Sequence, residues 1–170
     1  MARPGRNASP EEILNPRRFF FATTRTSMSR RLFQTARNAG LLIDVLRSLV
    51  AEHKFRLHDF VVMPDHLHLL IEIDSEMTIE KAMQLVKGRF SYRLKQEYGV
   101  LGEVWQRGFS EKQVMDAEAM EKCREYIAHN PVKAGLVESV DEYPFCFQYL
   151  AVRKTGRMGK DNGVQGLKPE

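Results

Sequence analysis

The run from Val61 to Ile71 constrains the fold most, because it is apolar except for a Pro64-Asp65 turn signal and two histidines. Strand-forming side chains flank that turn, so strands are predicted over 55–63 and 66–73. The two-residue connection leaves no room for a parallel crossover, and the pair is predicted to be an antiparallel hairpin. We expect the two strands to be neighbours at the centre of a sheet.

The two histidines of this run, His66 and His68, are separated by one residue. Side chains in a strand alternate between faces, so both imidazoles are predicted to point to the same side of the sheet. Two imidazoles side by side provide half of a metal site. The same pattern arises when two histidines are simply solvated on an open sheet face. Residues from elsewhere in the chain must separate these two interpretations.

Three helices are predicted from apolar positions that recur at helical spacing. The first spans 29–53 with Ser29 as its N-cap, and the second spans 78–98. The third runs over 116–129 and is ended by Pro131. Helices of this length with one apolar stripe are expected to pack on a sheet.

A further strand is predicted over 17–25, which is rich in aromatic and β-branched residues. A short strand is predicted near 112–115, after a segment of turn signals. The resulting order is strand, helix, strand, strand, helix, strand, helix. This order predicts an α+β fold, the ferredoxin-like split βαβ sandwich with a central antiparallel sheet. Two helices are expected on one face, and the last helix, which carries Tyr126, is expected on the other or leaves it open.

The basic residues are concentrated at the ends of the chain. A length of 170 residues fits one domain, predicted at 17–150 between loose arms at 1–16 and 151–170. The first 31 residues carry seven arginines against two glutamates, and the last 20 carry five Lys or Arg against two acidic residues. With a sequence pI near 9.1, this distribution favours a polyanionic partner. Solubilising tails are the alternative interpretation.

The compartment is predicted from what the sequence lacks. No window has the run of about 18 apolar residues that a membrane span needs, and the N-terminus has no signal-peptide core. A cytoplasmic protein without a membrane partner is expected. Cys123 and Cys146 have no metal-type spacing and are interpreted as packing residues.

A tyrosine and an asparagine are candidates for the missing half of the site. Tyr126 and Asn130 are four residues apart, so one helix face is predicted to present both to the two histidines. Each residue alone has an ordinary explanation, since an Asn before Pro is a common boundary residue and a helical Tyr usually packs.

Three segments of the chain together carry a family resemblance. They are Met-Pro-Asp-His-Leu-His at 63–68, Trp105-Gln106 with Phe109 and Glu111, and Tyr126-Ile127 followed by Asn-Pro-Val-Lys-Ala-Gly at 130–135. With these motifs in this order, roughly residues 17–150 resemble the REP-associated tyrosine transposases. These belong to the HUH class of single-strand DNA endonucleases that use one tyrosine.

The resemblance implies a role for each candidate residue. His66 and His68 match the paired metal-binding histidines, and Asn130 matches the polar residue that completes the metal site. Tyr126 matches the nucleophile. The implied cofactor is Mg²⁺ or Mn²⁺, and the implied product is a 5′-phosphotyrosyl link with a released 3′-OH. The chain departs from many relatives by having Lys112 where they carry His.

The partner implied by the resemblance is single-stranded DNA beside a repetitive palindromic hairpin, bound by a monomer or a homodimer. Basic and aromatic side chains are candidates to contact it. The alternative interpretation is that most basic residues on the helices belong to ordinary solvated faces, and that a Trp beside Arg is a core anchor. The predicted nucleic-acid contacts are Arg17, Arg18, Lys87, Ser91, Trp105, Arg107 and Lys133.

Two other functions stay open from the sequence. A hairpin-binding module on the same fold would bind DNA without cutting it, although it has no need for the His, Tyr and Asn set. A metal phosphoesterase would release hydrolysed product and form no tyrosyl adduct. His129, three residues after Tyr126, is a candidate proton acceptor and equally an ordinary exposed histidine.

Overall fold

The computed structural model describes residues 16–147, where four strands and three α-helices follow one another in the predicted order. The strands are β1 (Arg18–Arg25), β2 (Arg56–Met63), β3 (His66–Ile73) and β4 (Ser110–Val114), and the helices are α1 (Ala36–Ala51), α2 (Ile79–Tyr98) and α3 (Ala117–Lys133). They form the predicted α+β split βαβ arrangement. The predicted basic arms fall outside the described residues, apart from Pro16. None of the helices described is long and apolar enough to cross a membrane.

The sheet is antiparallel throughout, with the strand order β2-β3-β1-β4. β2 and β3 form the predicted hairpin around the Pro64-Asp65 turn, but only β3 is central. The expectation that both lie at the centre is wrong for β2, because β1 pairs with the other side of β3. The outer edge of β2 is partly covered by the segment 143–147, where Val62 N donates to Phe145 O at 2.9 Å.

The sheet separates two apolar layers, as the alternation of side chains requires. On one face, α1 and α2 bury residues such as Leu46 and Phe90 against the strands. On the other face, α3 inserts Ile127 into a smaller cluster. Cys146 belongs to this second layer and Cys123 packs against it, as predicted. The first two helices therefore share one face and the last helix lies on the opposite face.

The first helix begins later than predicted. Its N-cap is Thr35, whose side chain accepts a hydrogen bond from Asn38 N, and not Ser29. Residues 27–34 hold two short 3₁₀ turns instead. The cause is local, because Met28 and Ser29 both have a φ of +53°, a conformation that cannot continue a right-handed helix.

The third helix ends later than predicted. It continues through Pro131 to Lys133, so the expected end at His129 is wrong. Proline removes a single backbone donor, which is a small loss in the last turn of a helix. The final turn is closed by Ala134 N, which donates to Asn130 O at 3.0 Å. Asn130 therefore lies within regular helix.

Asp59 on β2 is an acidic residue held in the layer beneath α3. It pairs in register with Leu70, which belongs to that layer. Burial raises the pKa of Asp59 to about 6, although its hydrogen bond from Phe60 N and the charge of Arg124 act in the opposite direction. Burial therefore destabilises the ionised form of Asp59 at neutral pH.

We expect Asp59→Asn to stabilise the fold by about 1–3 kcal/mol at pH 8 and to have little effect at pH 4. The carboxyl has a folded pKa of about 6 against an ordinary 3.8, so between these values the folded state binds more protons than the unfolded state. Wild-type stability thus falls as pH rises through this window. Urea unfolding of both proteins at the two pH values measures the effect. An equal difference at both would assign it to packing.

Candidate functional site

His66 and His68 lie on the sheet face that α3 covers, as the period of the strand predicts. Across the sheet, His66 pairs with Arg25 and His68 pairs with Thr23. Their ring centroids are 4.8 Å apart, and the rings stand nearly perpendicular. The imidazole of His66 is 14% exposed, and His68 is only 3% exposed. The interpretation as two solvated histidines on an open face is therefore wrong.

An acidic neighbour orients His66. Its Nδ1 lies 2.6 Å from Asp65 Oδ1. A carboxylate only accepts hydrogen bonds, so Nδ1 carries the hydrogen and donates it. In the neutral imidazole, Nε2 then has its lone pair available. This carboxylate–histidine arrangement is typical of metal-binding histidines.

A hydroxyl group holds His68 in the same way, with Nδ1 2.7 Å from Thr23 Oγ1. The other nitrogen, Nε2, is buried and has no hydrogen-bond partner among the described residues. Burial, and then the nearby charges of His66 and Arg25, lower the pKa of His68 to about 3. His68 is therefore neutral at physiological pH. An unpaired buried nitrogen is costly for a fold and is expected where a ligand completes it.

Tyr126 lies against His68 of this pair. Its ring centroid is 5.3 Å from that of His68 and 5.8 Å from that of Phe21, with edge-on geometry in both cases. The neighbouring Ile127 is 1% exposed and anchors α3 to the sheet, whereas Tyr126 stays 45% exposed. One chain therefore brings the buried histidines and an accessible phenol together without a partner subunit.

Asn130 lies one helical turn after Tyr126 and is half-buried. Within residues 16–147, no group of three His, Cys, Asp or Glu side chains is placed to hold a metal. A metal at the histidine pair would therefore need an oxygen ligand of another type, and the Asn130 amide is the predicted one. Two imidazole nitrogens and an amide oxygen suit Mn²⁺ or Mg²⁺ with open positions for substrate oxygens. The role of Asn130 stays a prediction.

Two clefts border Tyr126. One, of about 400 Å³ between β4 and α3, is lined by Phe21, Lys112 and Lys122 among others. The second, of about 350 Å³, is lined by Lys122, His129 and Lys133. Both are shallow, and both bring lysines beside the phenol. The predicted contact Lys133 thus lies near the candidate nucleophile, and Lys112, which has no assigned role, lines the adjacent cleft.

Arg17, which precedes β1, and Arg18, its first residue, are engaged elsewhere. Arg17 pairs with the buried Glu72 at 3.1 Å, and Arg18 donates to Asp74 O and Met77 O at 3.1 and 2.7 Å. β1 starts at the end of the sheet away from the histidines, which pair with its last residues. The structure does not bring these two arginines to the site. DNA contact by them stays a prediction for a separate surface.

Trp105 and Ser91 lie on the other side of the sheet from the histidine pair. Trp105 is 8% exposed and packs on Phe33 and Phe90 in the α1–α2 layer. Its ring is therefore not free to stack on a base, and the core-anchor interpretation is the one the packing supports. Ser91 lines a shallow cleft beside it, on the helix layer across the sheet from His68. Arg107 is exposed on the following loop.

Lys87 has a structural role that the sequence did not show. Its Nζ donates to Gln106 O at 3.0 Å and to Gly108 O at 2.7 Å, and Trp105 Nε1 donates to Lys87 O at 3.0 Å. These bonds tie the loop before β4 to α2. The ammonium group thus has two carbonyl partners before any phosphate is considered.

We expect Lys87→Ala to lower the free energy of unfolding by about 1–2 kcal/mol, because two carbonyls lose a charged donor. DNA affinity should change less than twofold if the role is structural. Chemical denaturation and fluorescence anisotropy with a hairpin probe separate the two effects. Lys95→Ala, on the exposed last turn of α2, is the matched control. A loss of affinity at unchanged stability would restore the predicted phosphate contact.

Several site residues escaped the sequence analysis. Thr23 and Phe21 reach the histidines through the pairing of β1 with β3, and a register of this kind cannot be read from one sequence. Asp65 had a usable signal, since it directly precedes His66 and an acidic partner for a ligand histidine is common. Lys122 carried no signal beyond its place one turn before Tyr126.

Comparisons with known proteins match this chain to one family model and to several curated proteins. The sequence profile described as "Transposase IS200 like" matches residues 22–130. A Haemophilus influenzae protein assigned to the REP-associated tyrosine transposases is 30% identical over 95 residues, which are 49% of this chain and 53% of that protein. The REP-associated tyrosine transposase of Escherichia coli K12 is 27% identical over 131 residues, which are 75% of this chain and 73% of that protein. This chain thus spans about half to three quarters of these curated relatives.

A solved structure gives a further match at the level of the fold. A REP-associated tyrosine transposase bound to a REP hairpin aligns with a TM-score of 0.67 and 20% identity, over 98% of this chain and 95% of that chain. At this identity the likeness shows a shared fold.

Proposed function

The chain belongs to the IS200-like transposase family, and on that premise we propose that it cleaves and rejoins single-stranded DNA beside palindromic hairpins. The proposed reaction uses a divalent metal and a 5′-phosphotyrosine intermediate. The observation that carries it is the contact between Tyr126 and His68, whose ring centroids are 5.3 Å apart within one chain. A buried ligand-type nitrogen and an accessible phenol are side by side, which binding alone does not require.

The histidine pair is the proposed metal site, completed by Asn130. Asp65 and Thr23 hold the two Nδ1 atoms, so both Nε2 atoms are the nitrogens available to a ligand. A Mg²⁺ or Mn²⁺ ion held by these residues would supply positive charge to the scissile phosphate. Burial keeps His68 neutral, so the imidazole is ready to bind without first losing a proton.

Tyr126 is the proposed nucleophile. Its hydroxyl oxygen forms a bond to phosphorus while the bond to the 3′ oxygen breaks, and the phenol proton is balanced by the proton gained by the released 3′-OH. The phosphodiester is kept as an aryl ester of Tyr126. A phenolate is a better leaving group than an alkoxide, so a 3′-OH can attack the phosphorus, expel the tyrosine and reverse the step. His129 donates its Nδ1–H to Glu125 O at 2.9 Å, which leaves Nε2 as an acceptor in the cleft beside the phenol.

The proposed substrate is single-stranded at the cut. The clefts beside Tyr126 are shallow and lined by Lys112, Lys122 and Lys133, which suits a flexible phosphate backbone. A hairpin beside the cut is proposed from the family, and the structural neighbour was solved with a REP hairpin. The two proteins share only 20% identity, so the hairpin's sequence is left to experiment.

The direct test uses a labelled REP hairpin with a single-stranded extension, incubated with the protein and Mn²⁺. A covalent protein–DNA adduct that survives denaturing electrophoresis, and that EDTA prevents, is the expected result. Cleaved DNA without an adduct would identify a metal phosphoesterase instead. Binding without cleavage in any divalent metal would identify a hairpin-binding module.

A further inference from the structure

The loop after β1 has an unusual backbone conformation. Met28 and Ser29 are consecutive non-glycine residues with φ of +53°. Each such residue costs about 1 kcal/mol or more relative to ordinary backbone. A conformation of this kind persists only when its surroundings hold it in place.

The surroundings of this loop do hold it. Thr26 N donates to Asp65 O at 2.9 Å and Ser27 N donates to Val104 O at 2.9 Å, which fixes the start of the loop. Thr26 Oγ1 donates to Arg30 O at 2.6 Å, which closes the loop on itself. Asp65 is also the residue whose side chain orients His66, so the loop and the histidine pair share one anchor.

The tip of the loop presents an apolar side chain to solvent. Met28 is 93% exposed, the highest value among the large hydrophobic residues of the described segment. Basic residues flank it in the sequence: Arg25 ends β1 opposite His66, Arg30 donates a hydrogen bond to Glu103 O, and Arg31 is exposed. A strained, anchored loop that presents an exposed methionine between the exposed Arg25 and Arg31, beside the candidate site, is not explained by packing.

We propose that Met28 is an apolar wedge that contacts the bases where the paired stem of a DNA hairpin ends and the single strand enters the site. The inference rests on the proposed function. Apolar side chains inserted between bases are a known means of holding unstacked DNA, and the exposed Arg25 and Arg31 supply positive charge for the flanking phosphates. The fixed backbone reduces the ordering cost on binding. A symmetric contact between the tips of two copies is disfavoured, because the arginines of both tips would meet.

The test compares Met28→Ala with Met115→Ala, both in the Tyr126→Phe background so that no DNA is captured covalently. Met115 is also an exposed methionine, but it follows β4 at the opposite end of the sheet. The probes are a REP hairpin with a single-stranded extension, the same hairpin without it, and the extension alone. The extended hairpin carries 2-aminopurine at its first unpaired position, which reports unstacking by fluorescence.

Met28→Ala is expected to weaken binding of the extended hairpin by about tenfold and to remove the fluorescence change. Binding of the hairpin without extension should be unaffected, Met28→Leu should restore the wild-type behaviour, and Met115→Ala should match the parent. The thermal midpoint should not move, because the side chain is exposed.

Three outcomes would overturn the inference. Equal affinities of the parent and of Met28→Ala for the extended hairpin would show that Met28 does not act as a wedge, and the proposed function would still stand. A change in oligomeric mass by light scattering, without a change in affinity, would make the tip a contact between copies of this chain. Failure of the parent to bind any probe would instead reject the proposed function together with the wedge.

Discussion

Tyr126→Phe is expected to abolish the covalent protein–DNA adduct and to reduce DNA cleavage by roughly 10³-fold or more. The substitution removes only the hydroxyl oxygen that would bond to phosphorus. The ring contacts with His68 and Phe21 are edge-on contacts of the carbon framework, so phenylalanine preserves them. The adduct is measured on denaturing gels with labelled DNA and Mn²⁺.

The same variant should keep its fold and its hairpin affinity. Tyr126 is 45% exposed, so the hydroxyl is not needed to satisfy a buried partner. Tyr92→Phe, an exposed tyrosine on α2 across the sheet, is the matched control and should cleave like the wild type. Persistence of the adduct in Tyr126→Phe would show that another residue is the nucleophile. Cleavage at the wild-type rate without an adduct would favour hydrolysis by water.

Features set by local periodicity were predictable from the sequence. The alternation of His66 and His68 placed both on one strand face, and the spacing of Tyr126 and Asn130 placed both on one helix face. Strand and helix order followed from apolar patterns and gave the α+β class. The structure adds that the helix face meets the strand face, which no local pattern contains.

Features set by long-range pairing or by local strain were not predictable. The edge position of β2 depends on which side of β3 receives β1. The support of His68 by Thr23 depends on the register of that same pairing. The late start of α1 follows from positive φ at Met28, for which a methionine gives no signal. The carbonyl partners of Lys87 lie on a loop that is distant in sequence, so the predicted phosphate contact could not take them into account.

His68→Leu is expected to abolish cleavage and, in the absence of metal, to stabilise the fold by about 1 kcal/mol. Leucine removes the buried Nε2 that has no partner among the described residues, and it has a similar volume at a position 3% exposed to solvent. Thr23 loses its histidine partner, but it is half-buried and within reach of water. Mn²⁺ should raise the thermal midpoint of the wild type and leave that of the variant unchanged.

His58→Leu is the matched control, because His58 is another strand histidine on the same sheet face but outside the site. Its Nε2 lies 2.7 Å from the buried carboxylate of Glu72, so its loss should destabilise the fold. It should leave cleavage and the Mn²⁺ response intact. Opposite signs in the two variants would show that His68 is kept for a ligand and His58 for the fold. Destabilisation of metal-free His68→Leu, with a normal Mn²⁺ response, would instead make His68 a packing residue.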